Sequence, residues 1–145
     1  MSLGSITILA PANITKESIA GLLCCAFEGG SNYWYCDLDI SKLPTGYARD
    51  DFKEGGRCEQ ENGTYWHWCQ LVPLMEGGEL SFGLSAWPGT AEGRKTLDLA
   101  KIKRGLAVFR EKCPGHYADW VSENDDADTG DAFLQCAALG EVVYG

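Results

Sequence analysis

The run ELSFGLSAWPGTAEGRKTLDLAKIKRGLAVFREKC, residues 79–113, decides the fold class because its apolar period changes halfway along. Leu80, Phe82 and Leu84 alternate with Ser81, Gly83 and Ser85, the pattern of a strand with one buried face. Pro88-Gly89 marks a turn, and 94–97 is placed to return as a paired strand. From Asp98 the period becomes helical. Leu99, Ile102, Leu106, Phe109 and Cys113 recur at three and four residues, one apolar stripe on a helix that Asp98 caps. Pro114-Gly115 reads as its end.

Towards the N-terminus, Thr15 caps a second helix. Ile19, Leu22, Leu23, Ala26 and Phe27 share its inner face, and Gly29 and Gly30 stop it. Before it, 6–9 is a short β-prone run closed by Pro11, and 1–5 reads as an expression remnant or a loose N-terminus. Residues 37–63 are polar and Gly-rich, which predicts loop with at most a short helix near 47–53. Residues 64–76 fit helix or strand. The Glu76-Gly77-Gly78 stop favours helix, while Trp66, Trp68 and Pro73 count against it. Towards the C-terminus, 116–127 reads as loop or short helix. A last helix opens at Asp128 or Thr129 and packs closely through Ala132, Phe133, Cys136 and Ala137. Gly140 ends it, and 142–144 reads as a terminal strand. The sum is an α+β architecture, three or four helices on a small, mainly antiparallel sheet, in a single domain over 6–145.

Composition narrows the function. With 45% hydrophobic and 23% charged residues, the chain has ordinary globular usage rather than that of a disordered one. No apolar run reaches 18 residues and no leader pattern opens the chain, so neither a membrane span nor secretion is expected. Seven cysteines, an odd number, fit free thiols in a cytoplasmic setting. The net charge of -9 is uneven. Seven bases lie within 94–112, whereas 114–145 carries seven acids and neither Lys nor Arg. An anion of this kind is no partner for duplex nucleic acid, since it forfeits counterion release.

Motif chemistry is sparse. His67 and His116 are the only histidines, and neither stands in a nucleophile context, so no catalytic residue is assigned and the enzyme reading is the weaker one. No phosphate-binding glycine loop follows a strand. No Cys-x-x-Cys occurs, and His67-x-Cys69 and Cys113-x-x-His116 each lack a second half. The acids of 125–131 miss the calcium-loop register. No metal or cofactor is therefore expected. Glu28 and Glu141 form a shared acid pair only if two helix ends meet, and are otherwise solvated ends.

Gly29-Gly30-Ser31-Asn32-Tyr33-Trp34-Tyr35 is the most informative local feature. Glycine lets a ligand approach the main chain at Gly29 and Gly30, Asn32 offers an amide, and the rings stack on planar groups or cover the core. The functional reading is a pocket between this turn and the last helix, with Asp128 and Gln135 on its wall. In it Tyr33 or Trp34 stacks on the base of a nucleotide-like small molecule, and Lys101 or Arg104 meets its phosphate. The alternative partner is a protein with a basic surface, bound by the acidic C-terminal third acting as inhibitor or adaptor. A homo-oligomer is compatible with either reading.

Four motifs carry a resemblance. Ala26-Phe27-Glu28-Gly29-Gly30 is followed by Tyr33-Trp34, and Gly77-Gly78 precedes a strand. Residues 96–105 open a helix, and 128–135 lead to Gly140-Glu141-Val142-Val143-Tyr144-Gly145. In these the chain resembles an uncharacterised family of small phage- and prophage-encoded proteins. It departs from them at Ala137-Ala138-Leu139, where a bulkier pair is expected, and in a longer middle section. The resemblance implies a small non-enzymatic effector acting on its host, such as an anti-defence protein, with no known activity to carry over.

Overall fold

The computed structural model describes residues 14–52, 57–59 and 65–145. The readings of 1–5 and 6–9 lie outside the described residues. Helix α1 (Lys16–Cys25) opens at the expected cap: Thr15 Oγ1 accepts the Ser18 N–H at 3.2 Å, and Ser18 Oγ accepts the Thr15 N–H at 3.1 Å. It runs into a wide turn, Ala26–Gly30. Gly30 there lies so close to the Ala127 carbonyl that no Cβ fits.

The main sheet is antiparallel in the order β1 (Tyr35–Lys42), β4 (Glu79–Leu84), β5 (Arg94–Leu97), and Leu80 of the central strand stands opposite Ile40 and Leu97. A second, two-stranded sheet pairs β2 (Arg57–Glu59) with β3 (Tyr65–His67). Two long cations cover main-sheet backbone: Arg49 donates to the Ile40 carbonyl at 3.2 Å, and Lys101 to the Thr96 carbonyl at 3.1 Å. Such contacts blunt edges that otherwise template further pairing. After β3 come α2 (Trp68–Leu71) and a 3₁₀ turn, Val72–Leu74. Helices α3 (Leu99–Lys112), α4 (Pro114–Val121) and α5 (Ala127–Leu139) complete the chain.

The α+β class is as expected, with five α-helices among the described residues rather than three or four. Several local expectations are corrected. The loop expected over 37–63 contains β1 and β2, because β1 is irregular: Asp37 and Asp39 face outward and register shifts break its period. A one-turn helix, Arg49–Asp51, does fall where a short helix was expected. The helix favoured over 64–76 resolves into β3, one turn of α2 and a 3₁₀ turn that takes Pro73 in its first positions, where a missing N–H costs nothing. Helix α3 ends before Pro114 as expected, and the same proline opens α4, the short-helix alternative for 116–127. The central strand β4 is buried on both faces, not one, with Ser81 and Gly83 covered as well as Leu80, Phe82 and Leu84.

Helix α5 is the centre of the molecule. Every residue from Thr129 to Ala137 is buried, and the helix touches α1, α3, α4, β5 and the wide turn. Its small residues permit this. Gly130 sits against the backbone of Leu22 and Ala26, and Gly105 of α3 sits against Ala137, each with no room for a Cβ. Phe109 fills the gap beside them, packing edgewise on Tyr117 and Phe133 and tilted against Trp120. Asp126, not Asp128 or Thr129, caps α5, accepting the Thr129 N–H at 3.0 Å. Gly140 ends it in the left-handed region, φ 82°.

Candidate functional site

A helix buried on all sides carries two long polar side chains, Asp131 and Gln135, and both point at the turn after α1. Asp131 Oδ1 accepts from Ser31 Oγ at 2.8 Å, Trp34 Nε1 at 2.7 Å and Gln135 Nε2 at 3.2 Å. Its Oδ2 accepts from Tyr33 Oη at 2.6 Å. Desolvation and this bond to Asp131 push the Tyr33 phenol up to about 12. Gln135 completes the network from the other side. Its Oε1 accepts the N–H groups of Val143 and Tyr144, both at 2.8 Å, and its Nε2 donates to the Tyr144 carbonyl at 3.1 Å. A single amide thus pairs with the tail as a neighbouring strand would. The terminal strand expected over 142–144 is instead coil held by this side chain. Tyr144 is thereby laid flat on Trp34, with centroids 5.6 Å apart and an interplanar angle of 12°.

This settles the geometry of the aromatic turn. Tyr33, Trp34 and Gln135 do come together, joined by Ser31, Asp131 and Tyr144. Trp34 is only 2% exposed, one face under Tyr144 and an edge-on contact to Phe82 beside it, so it has no free face for a base. The expectation that Trp34 stacks on a ligand is corrected on that ground. Tyr33 keeps half its surface in solvent, and Gly29 and Asn32 are exposed beside it. Gly30 is taken up by its contact with Ala127. Asp128 is exposed in the first turn of α5 and adds its negative field at Tyr33. Lys101 is bound to Thr96, and Arg104 projects into solvent from α3. Among the described residues neither cation has a hydrogen bond to the Asp131 network.

Glu28 and Glu141 do not form a pair. Glu28 takes the Cys24 thiol at 3.1 Å and lies 3.1 Å from His67 Nε2, whereas Glu141 follows the far end of α5. Burial, then the Glu28 bond, pushes Cys24 up to about 12, which leaves it protonated and a poor nucleophile. Among the described residues no group of three or more His, Cys, Asp or Glu side chains is placed to hold a metal ion.

The residues that line a cavity are others. A cleft of about 730 Å³ opens where α3 ends, α4 begins and the tail leaves α5, lined by Lys112, Cys113, Gly115, His116, Asp119, Ala132, Glu141 and Val142. Its volume lies in the range of small-molecule sites. Cys113 gives the first turn of α4 no side-chain cap, and the space above Gly115 is open. Pro114 has no N–H, and the Cys113 and Tyr117 N–H groups bond the Phe109 and Cys113 carbonyls, so the first-turn donors this corner can offer an anion beside the Lys112 ammonium are those of Gly115 and His116. Asp119 and Glu141 offer acceptors nearby. The wall is continuous with the Asp131 network, since Glu141 and Val142 begin the tail that Gln135 holds two residues later. From sequence, Lys112 reads only as one base in a run, and His116 as a histidine without a nucleophile context and half of an incomplete metal spacing. Nothing linear connects either to Glu141.

No helix among the described residues is long and apolar enough to cross a membrane. The chain matches no protein-family model, no curated protein and no solved structure.

Proposed function

We propose that the protein is a binding protein that holds a small phosphorylated ligand of the nucleotide kind in the α3–α4–tail cleft and does not turn it over. The observation that carries this reading is the meeting of Lys112, His116 and the uncapped start of α4 with Asp119 and Glu141 around one cleft. A phosphate finds an ammonium and unpaired N–H donors there. The hydroxyls of a sugar find carboxylate acceptors. The basic side chains expected from sequence to meet phosphate, Lys101 and Arg104, give way to Lys112 in this reading. In the genomic setting that the family resemblance implies, sequestering a host nucleotide signal is the effect of such binding.

Native mass spectrometry with linear and cyclic nucleotides tests it. The expected result is one added ligand per site, released intact on denaturation, with affinity falling about tenfold or more in Lys112→Ala. A released product of different mass makes the protein an enzyme, and a bare protein across the panel sinks the reading. A second reading rests on the α4–α5 corner, where Asp119, Glu123, Asp126 and Asp128 are exposed. Those acids suit a basic host protein, and a complex formed there dissociates as salt rises, without any nucleotide affinity.

A further inference from the structure

The inference rests on the binding reading above and concerns how His116 takes part in it. Thr129 is 1% exposed and has one hydroxyl proton. Asp126 Oδ1 lies 3.1 Å from that hydroxyl and also accepts the Thr129 N–H at 3.0 Å. Those two bonds, helped by the Asp128 backbone N–H, hold the Asp126 carboxyl below the usual range, so it is the acceptor and Thr129 the donor. The Thr129 oxygen also lies 3.3 Å from His116 Nδ1. Its proton is already committed, so towards the imidazole it can only accept. Nδ1 must therefore carry a hydrogen in both protonation states, and Nε2 is the atom that titrates. The ring is tethered by Nδ1 to the start of α5, and His116 is one of the residues that line the cleft.

We propose that His116 is the proton-coupled anion ligand of the cleft: its Nε2 takes up a proton as a phosphate group binds, through an Asp126–Thr129–His116 relay that fixes the tautomer. The titratable groups that line the cleft with His116 are Lys112 and Cys113 from the end of α3, Asp119 from α4 and Glu141 from the tail, and Asp126 stands behind Thr129. An arriving anion is what favours the protonated ring. Neutral His116 has only a lone pair to offer at Nε2 and repels the phosphate oxygens. Charged His116 has a donor. Binding thus strengthens as pH falls through the histidine range.

The test uses anions that do not themselves titrate near neutrality, sulfate and a cyclic nucleotide, because a phosphate monoester gains a proton over the same range. Calorimetry in buffers of different ionisation enthalpy counts the protons taken up. The expected uptake approaches one per site between pH 5.5 and 7.5, with Kd rising by at most about tenfold per pH unit. His116→Gln binds more weakly and with no pH slope. In the free wild-type protein at pH 8, ¹⁵N spectra of the ring show a protonated Nδ1 and a bare Nε2. Thr129→Val, which keeps the backbone N–H bond to Asp126, moves that pattern towards the mixture of a free imidazole. Binding without proton uptake, or a bare Nδ1 in the wild type, overturns this inference and leaves the binding reading standing. Failure of sulfate and of every nucleotide to bind at any pH overturns both.

Discussion

Replacing Asp131 by alanine removes the acceptor of four hydrogen bonds at once, and the structure says which losses matter. Tyr33 is half exposed and finds water, and Gln135 Nε2 keeps the Tyr144 carbonyl. Ser31 is fully buried and Trp34 is 2% exposed, so the Ser31 hydroxyl and the Trp34 indole N–H are left without partners in the interior. Each such orphan costs about 1–3 kcal/mol, and the void left by the carboxylate adds to this. Relief from burying a carboxylate with no cation bonded to it offsets part of the loss. The net expectation is a destabilisation of about 3–5 kcal/mol, or a Tm lower by roughly 8–15 °C for a chain of this size. Asp131→Asn is the informative contrast. An amide with its oxygen in place of Oδ1 keeps the acceptor for Ser31 and Trp34, and the Tyr33 hydroxyl accepts from the new NH₂. The expected cost is about 1 kcal/mol. Urea and thermal unfolding followed by circular dichroism and tryptophan fluorescence measure both variants. An alanine variant as stable as the asparagine one refutes the argument that the network works by satisfying buried donors.

Other outcomes follow from the same geometry. Gln135→Leu frees two N–H groups and a carbonyl of the tail, so amide exchange at Val143 and Tyr144 rises to that of unprotected chain; unchanged protection there means the tail is held by its packing alone. Gly21 faces open space within α1, and Gly21→Ala raises stability by about 0.5–1 kcal/mol, whereas Gly105→Ala, aimed at Ala137, lowers it by about 1–3 kcal/mol; equal effects at the two sites refute the close α3–α5 crossing. Tyr117 has a buried hydroxyl without a partner among the described residues, so Tyr117→Phe is expected to gain about 1 kcal/mol, and a loss in urea titration contradicts that. Cys24, Cys69 and Cys136 are each pushed up to about 12, chiefly by burial. Groups that ionise later in the folded than in the unfolded state lend stability that is whole below the unfolded thiol pKa, near 9, and is lost above it. Tm should therefore hold from pH 7 to 8.5 and fall from pH 9 upward. A flat profile to pH 10.5 contradicts it.

Where periodicity and punctuation agree, the sequence predicts the element well. The alternation of 79–84, the stripe from Leu99 to Phe109, the Thr15 and Asp98 caps and the Gly140 stop are all local devices, and each lies where it was expected. The misses occur where a neighbour overrides the local signal. β1 reads as loop because its outward acids and register shifts hide the period, yet pairing with β4 makes it a strand. Pro114 does follow the end of α3, but the choice between loop and short helix after it stays open in the sequence, because proline is equally at home in a first helical turn, and the packing of Tyr117 and Trp120 on Phe109 decides for the helix.

For the site the division is sharper. The amino-acid sequence by itself determines that Tyr33, Trp34, Asp131, Gln135 and Tyr144 are present, that α5 is lined with small residues, and that acids crowd the C-terminal third. Tertiary structure decides that Tyr144 covers Trp34, that Asp131 spends its oxygens on Ser31, Tyr33 and Trp34, and that Lys112, His116 and Glu141 share a cleft. The physical reason is range. Caps, turns and helical stripes are contests among residues a few positions apart. A buried carboxylate 97 positions from the indole it binds becomes a partner only when close packing of α5 leaves it no other.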